Sequence, residues 1–208
     1  MAYDYKKEEK ELYPPKEDIS IVNIKKMKFL AVFGEGDPND EDGEYKKSIE
    51  LLYPIAYTLR MSYKTDYKIP GFFEYVVPPL EGFWWQEGIK GVDLENKQNF
   101  KFISLLRLPD FISKKDFDWA IKRASEKKKI DFSKVEFLTY EEGLCVQALH
   151  IGPYDEEIKT VMKMHEYIKN NNYQLDINDN RFHHEIYLNN PLKTKPEKLK
   201  TIIRHPIK

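Results

Sequence analysis

The chain has 208 residues, enough for one large domain or for two small repeated halves sharing a real core. Its 34 Lys and Arg stand against 35 Asp and Glu, and the resulting net charge of -1 offers no global field to nucleic acid or to an anionic membrane. The single cysteine, Cys145, excludes an internal disulfide and a multi-cysteine zinc site and suits a reducing cytoplasm, and no stretch approaches the ~20 apolar residues of a membrane span.

Aromatic side chains are 14% of the chain, a high share that asks for flat surfaces somewhere. The N-terminus is polar, with no signal-like apolar run, and residues 1 to 18 alternate charge with tyrosine. Together with Pro14-Pro15 this predicts a loosely held arm that Tyr5 and Tyr13 can still pin down. Met27 to Phe33 is apolar on both faces and predicts a buried strand, stopped by Gly34-Glu35-Gly36-Asp37-Pro38. Between Glu44 and Tyr63 the residues Ile49, Leu52, Ala56, Leu59 and Tyr63 recur at helical steps, and Pro54 predicts a kink or a late start in that helix. Tyr53 and Tyr57, four apart, either stack on one face or complete the core with hydroxyls at its rim.

Phe72 to Val77, Pro78-Pro79 and Leu80 to Trp85 read as an interrupted strand, an edge or a bend. Trp84 and Trp85 face opposite ways on a strand, so one of them lines a given pocket and the other is core. Gly88, Gly91 and the polar run Asp93 to Gln98 predict a loop, followed by a strand over Lys101 to Leu108. Ser113 with Asp116 predicts a helix cap and a helix to about Lys128, whose terminal lysines complement its dipole. Gly143 to Ile151 is another buried strand, with Cys145 an inert thiol in it. Tyr154 to Glu157 opens a helix with stripe Ile158, Val161, Met162, His165 and Ile168, ending at Asn170-Asn171-Asn172. His165 is then either a hydrogen-bonded core histidine or a ligand-binding group.

Arg181 to Leu188 predicts a short strand closed by Asn189-Asn190-Pro191, with His183, Glu185 and Tyr187 on one face and Phe182, His184, Ile186 and Leu188 on the other. A mid-strand glutamate is solvated, paired, or kept to meet a ligand. Residues 199 to 207 form a last strand that Pro206 places at an edge or a strand end. The order buried strand, Gly/Pro loop, long helix, strand with Glu-x-aromatic and final apolar strand recurs in both halves. Gly36-Asp37-Pro38 then matches Gly152-Pro153-Tyr154, and Glu81-Gly82-Phe83 matches Glu185-Ile186-Tyr187. The expected fold is α+β: duplicated strand-helix-strand-strand modules over about 19–110 and 132–208, joined by a helix at about 113–128, with antiparallel sheets and a pseudo-twofold ligand cleft at the seam.

These features resemble the GyrI-like small-molecule-binding family over about Tyr13 to Pro206. The resemblance rests on Tyr13-Pro14-Pro15-Lys16, Met27-Lys28-Phe29, Leu52-Tyr53-Pro54, Leu80-Glu81-Gly82-Phe83-Trp84-Trp85, His150-Ile151-Gly152-Pro153-Tyr154 and His183-His184-Glu185-Ile186-Tyr187-Leu188. It implies an aromatic cleft around a central acid, which maps onto Glu185, and planar aromatic or cationic small molecules as ligands. The polar, short segment before Met27 carries no helix-turn-helix, so a stand-alone member rather than a regulator is expected. Some stand-alone members hydrolyse the strained cyclopropane of DNA-alkylating natural products.

The residues themselves are compatible with both roles. A carboxylate among aromatic faces attracts a flat cation, and Glu185 with Tyr187 beside it can activate water as a general base or donate a proton. Tyr53, Tyr57, Trp85, Tyr154, His165 and Glu81 are the expected binding wall. No metal, cofactor, nucleic acid or membrane is called for, because the chain has no Gly-rich phosphate loop, no His-Glu-x-x-His, no nucleophile-elbow serine, and His183 and His184 point apart. The alternative function is a protein-interaction module related to gyrase inhibition, with an exposed apolar patch in place of a ligand.

Overall fold

The computed structural model describes residues 1–14, 16–89 and 96–208; position 15 and, within the expected loop after Gly88, residues 90–95 lie outside the described set. The strands are β1 (Ser20–Ile24), β2 (Met27–Glu35), β3 (Leu80–Trp85), β4 (Lys101–Leu108), β5 (Glu136–Tyr140), β6 (Gly143–Ile151), β7 (His183–Tyr187) and β8 (Lys200–Pro206). They form one antiparallel sheet in the order β1-β6-β8-β7-β3-β4-β2-β5, with helices α1 (Tyr5–Glu8), α2 (Glu44–Arg60), α3 (Lys114–Lys128) and α4 (Glu157–Asn170) packed on it. The class is α+β.

The order reads alike from its two sides: β2-β4-β3 meets β7-β8-β6 at the central β3–β7 pair. Each half also lends a strand to the other. β1 precedes β2 in the chain but pairs with β6, while β5 precedes β6 but pairs with β2. The strands of the two chain halves therefore lie in one continuous sheet.

Register assigns the faces. Leu30, Val32, Leu106 and Leu108 look toward α2 and α3 and form the largest core with Leu52, Ile55, Leu59, Phe117 and Ala120. Val146, Ala148 and Ile203 lie on the same face and meet Met164 and Ile168 of α4. α2 and α4 thus flank the sheet's middle, and the space between them, above β3 and β7, is open. The opposite face holds Phe29, Ala31, Phe83, Ile103 and Leu105, and farther along Leu149, Ile186 and Ile202 beneath Tyr5, Tyr13 and Tyr75.

Four expectations change. The N-terminal segment is clamped: Tyr5 and Tyr13 are buried, Arg107 donates to Glu9 at 2.6 Å, Gln147 to the carbonyl of Glu11 at 2.6 Å, and Arg204 to that of Leu12 at 2.9 Å. Charge and tyrosine alternate there because the rings seal the sheet while the Glu9 carboxylate meets buried Arg107 and the Leu12 carbonyl meets buried Arg204. α2 begins at Glu44 and continues past Pro54, whose carbonyl accepts from the Thr58 hydroxyl at 2.7 Å, so there is no late start, and it ends before Tyr63. Phe72 to Val77 has only a bridge between Tyr75 and Tyr3 and no strand. The buried row of α4 is Glu157, Met164 and Ile168, leaving Ile158 and Met162 exposed, so the helix is rotated from the expected stripe. The capping box of α3 is present, with Asp116 accepting from the Ser113 N–H at 2.8 Å.

Candidate functional site

The open space between α2 and α4 is a cleft of about 2200 Å³, larger than the ~300–1,000 Å³ of a typical small-ligand pocket, so a single small ligand fills only part of it. Its floor is β7 and β3. Register places His183, Glu185 and Tyr187 on the floor beside Gly82 and Trp84 of β3 and Thr201, Ile203 and His205 of β8. Glu185 accepts from both of its strand neighbours: the Tyr187 hydroxyl lies 2.7 Å from Oε2, and His183 Nε2 lies 2.9 Å from Oε1. Trp84 Nε1 in turn donates to the Tyr187 oxygen at 3.0 Å. The carboxylate is therefore held in one orientation by two donors that are themselves fixed.

Gly82 makes this arrangement possible. It stands opposite Glu185, and a Cβ there would come within 2.6 Å of Trp84 Nε1 and 3.3 Å of the Tyr187 hydroxyl. Burial, and then the charge of Glu185, push the Tyr187 phenol well above its ordinary pKa, so it remains a donor at any physiological pH. Tyr45 adds a ring 5.0 Å from Trp84, and Tyr154 stands edge-on to Tyr187 at 5.8 Å. Burial, followed by Glu185 and Glu157, raises the Tyr154 phenol to about 12.

A second carboxylate closes the site. Glu157 begins α4 and is only 7% exposed, yet among the described residues its Oε1 has no hydrogen-bond partner. Burial, and then the nearby charge of Glu185, raise its pKa well above the usual carboxyl range. Like charges in a shared site cannot both ionise cheaply, so the pair divides into a carboxylate, fed by two donors at Glu185, and a carboxyl that holds its proton at Glu157. Glu157, His183 and Glu185 each offer an atom within 4.8 Å of the others, a spacing that a metal ion could also draw together, although His183 and Glu185 already bond to each other.

The expected wall residues divide by strand face. Tyr53 and Tyr57 line the cleft as a stacked pair 6.3 Å apart, and with Tyr45 and Ile49 they form a row at four-residue steps along α2. Tyr154 and His165 line it from the other side. Trp85 lines the opening at the end of β3, where it packs against Phe182 at 4.8 Å on the other face, while Trp84 is the tryptophan that shares the floor with Glu185. Glu81 is corrected. It is 3% exposed on the far face, 3.0 Å from His184 Nε2, within a buried network in which His184 Nδ1 meets Glu142 at 2.7 Å and Arg204 donates to Glu142 at 3.3 Å.

The reason is a one-residue offset. Glu185 pairs with Gly82 and Ile186 with Glu81, so matching Glu81-Gly82-Phe83 to Glu185-Ile186-Tyr187 sets residues of opposite faces against each other. Sequence reasoning also missed Tyr45, Glu157, His183 and His205 as site residues. The i, i+4 row 45, 49, 53, 57 was legible for Tyr45; Glu157 followed two other acids in a first turn and read as dipole compensation.

A model of the GyrI-like small molecule binding domain matches residues 17–208. Among solved structures, a hydrolase from Listeria innocua is 41% identical with a TM-score of 0.89, over 99% of this chain and 100% of that one. An uncharacterized conserved protein from Listeria innocua is 44% identical with a TM-score of 0.92, over 99% and 100%. The C-terminal domain of EcmrR is similar in fold alone, at 14% identity, a TM-score of 0.56, and coverage of 92% and 97%. No curated protein matches the chain.

Proposed function

The chain belongs to the GyrI-like small-molecule-binding family, and from that premise we propose that its cleft takes a planar, hydrophobic and preferably cationic compound, and that Glu185 and Glu157 add water to a strained electrophilic ring carried by it. The carboxylate pair ringed by Tyr45, Trp84, Tyr154 and Tyr187 is the observation that carries this reading. Each aromatic face contributes ~0.5–2 kcal/mol toward a stacked cation, and the charge of Glu185 adds a Coulomb attraction that strengthens as the ligand displaces water. Stacking against Tyr53 and Tyr57 holds the planar part, so that binding orients the ligand and spends no catalytic group on it.

The chemistry follows from the division of protons. Glu185, held by His183 and Tyr187, takes the proton of a water as it attacks the ring carbon, and Glu157, holding a proton, donates to the atom that leaves as the strained bond opens. Water adds across one bond, with one proton taken and one returned, so the reaction balances without an external acid. Positioned general-base catalysis supplies ~10²–10⁴ in rate, and ring strain supplies much of the remaining driving force. The hydrolase designation of the Listeria innocua relative is consistent with this reading.

The test combines binding and turnover. Planar cationic dyes raise the melting temperature by an amount that grows with the logarithm of their affinity, and mass spectrometry of a cyclopropane-bearing alkylator incubated with the protein shows the gain of one water. If dyes bind but no such compound gains water, the hydrolytic half is wrong and the protein is a binder. If no planar compound shifts the melting temperature, the cleft reading fails as a whole.

A further inference from the structure

A row of imidazoles leads away from Glu185. His183 uses Nε2 on Glu185 and places Nδ1 2.7 Å from His205 Nε2, and His205 places Nδ1 3.2 Å from His165 Nε2. His183 and His205 are buried, and His165 is exposed on α4. We propose that His183, His205 and His165 form a proton relay that connects Glu185 to water at a point away from the ligand.

The tautomers follow from the first contact. A carboxylate oxygen only accepts, so His183 donates from Nε2 and its Nδ1 must accept; His205 then donates from Nε2 and accepts at Nδ1; His165 donates from Nε2 and leaves Nδ1 to water. One orientation of three neutral rings satisfies every contact. In that order the relay delivers inward: His183 gives its Nε2 proton to Glu185, each ring is refilled at Nδ1 by the next, and water protonates His165. With all three protons on Nδ1 the same contacts run outward and clear Glu185. One proton enters for each that leaves, and no ring acquires a net charge over the full transfer.

The surroundings suit a neutral relay. Burial, and then the neighbouring imidazoles, hold His205 well below its usual pKa, and burial lowers His165 as well. Among the described residues, Glu185 is the one carboxylate hydrogen-bonded to the row, and no Lys or Arg is hydrogen-bonded to any of its three rings. The exit also lies where a ligand need not cover it: His165 follows Glu157 by eight residues, about 12 Å along α4. A flat compound seated on Tyr187 and Trp84 closes the direct path of water to Glu185, while His165 stays wet.

The inference rests on reading Glu185 as the carboxylate that handles protons, and its test is arranged to stand apart from turnover. In protein labelled with ¹⁵N-histidine, the N–H proton between His183 and Glu185 is followed by NMR without any ligand, and its exchange with water is timed. His165→Ala, at an exposed position, is expected to slow that exchange roughly tenfold or more, and imidazole at millimolar concentration is expected to restore it by occupying the vacated place. Glu185→Gln is expected to change the His165 ring signals, because the amide offers one acceptor oxygen to the two donors His183 and Tyr187 and no longer fixes the order of protons. Unaltered exchange in His165→Ala overturns the relay, since the proton then leaves through the cleft. Slower exchange that imidazole does not restore also overturns it, since the histidine is then only a packing group. Neither outcome depends on whether the cleft hydrolyses anything.

Discussion

Gly82 and Glu185 face each other across the central strand pair, and the missing side chain of the first leaves room for the partners of the second. Gly82→Ala puts a methyl against Trp84 Nε1 and crowds the Tyr187 hydroxyl. Overpacking of this kind costs ~1–3 kcal/mol, and here it also breaks the Trp84-Tyr187-Glu185 chain. The variant is expected to melt lower and to bind planar cations at least several-fold more weakly in dye titrations; full affinity at a lower melting temperature would show that this chain of bonds is irrelevant to binding.

Glu185→Gln keeps the shape of the side chain and removes its charge. A hydrogen bond or ion pair to a charged group contributes ~1.5–3 kcal/mol, so cationic dyes are expected to lose roughly ten- to a hundredfold in Kd while neutral planar compounds lose little. Glu81→Gln, on the far face, should leave both affinities alone. Equal losses for charged and neutral ligands would remove electrostatics from recognition.

Glu157 makes a prediction about stability. Its folded pKa is raised above the unfolded value, so the native state holds the proton more tightly. The carboxyl costs nothing to folding below the ordinary pKa of 4.5, and destabilises increasingly as pH rises from there toward the raised value. Glu157→Gln is therefore expected to stabilise the ligand-free protein at neutral pH by about 1 kcal/mol or more, with the gain fading near pH 4. Urea melts at the two pH values decide this; a loss of stability at neutral pH would mean that the carboxyl has a favourable partner.

Glu142 behaves in the opposite sense. Although burial opposes its charge, His184 and Arg204 hold it at about 2, below the ordinary 4.5. Its contribution is complete above the unfolded pKa and disappears as pH falls through about 2, so acid unfolding should release the N-terminal segment in that window. Glu142→Ala takes the carboxylate from buried Arg204 and leaves His184 with Glu81 alone, a loss of ~3–5 kcal/mol. Limited proteolysis should then cut before Tyr13 at neutral pH; a resistant segment would mean that Arg107 and Tyr5 hold it alone.

How much of this was legible in the sequence depends on the local signal. Strand periodicity put His183, Glu185 and Tyr187 together because they lie within five residues of one strand, and Tyr53 and Tyr57 because they lie one helical turn apart. Glu81 was misplaced, and Trp84 passed over as the floor residue, because alternation says which residues share a face but not which face meets the cleft; that is fixed by pairing β3 with β7 a hundred residues away. The arm was misread for a similar reason. Nothing near Glu9 or Leu12 announces Arg107 or Arg204, the distant cations they answer. β1 and β5 are five residues each and pair across the halves, so their partners were invisible to any local rule.

The exchange of β1 and β5 between the halves has a consequence for the chain as a material. A cut in the connection after α3 gives two fragments, each lacking the strand that finishes its own edge and carrying the strand that finishes the other's. Neither fragment can close a sheet alone, whereas the pair can rebuild the whole by complementation. Unfolding should accordingly be a single event, with amide protection in β2 and β6 lost together, and the seam that carries Glu185 should be the last place to open.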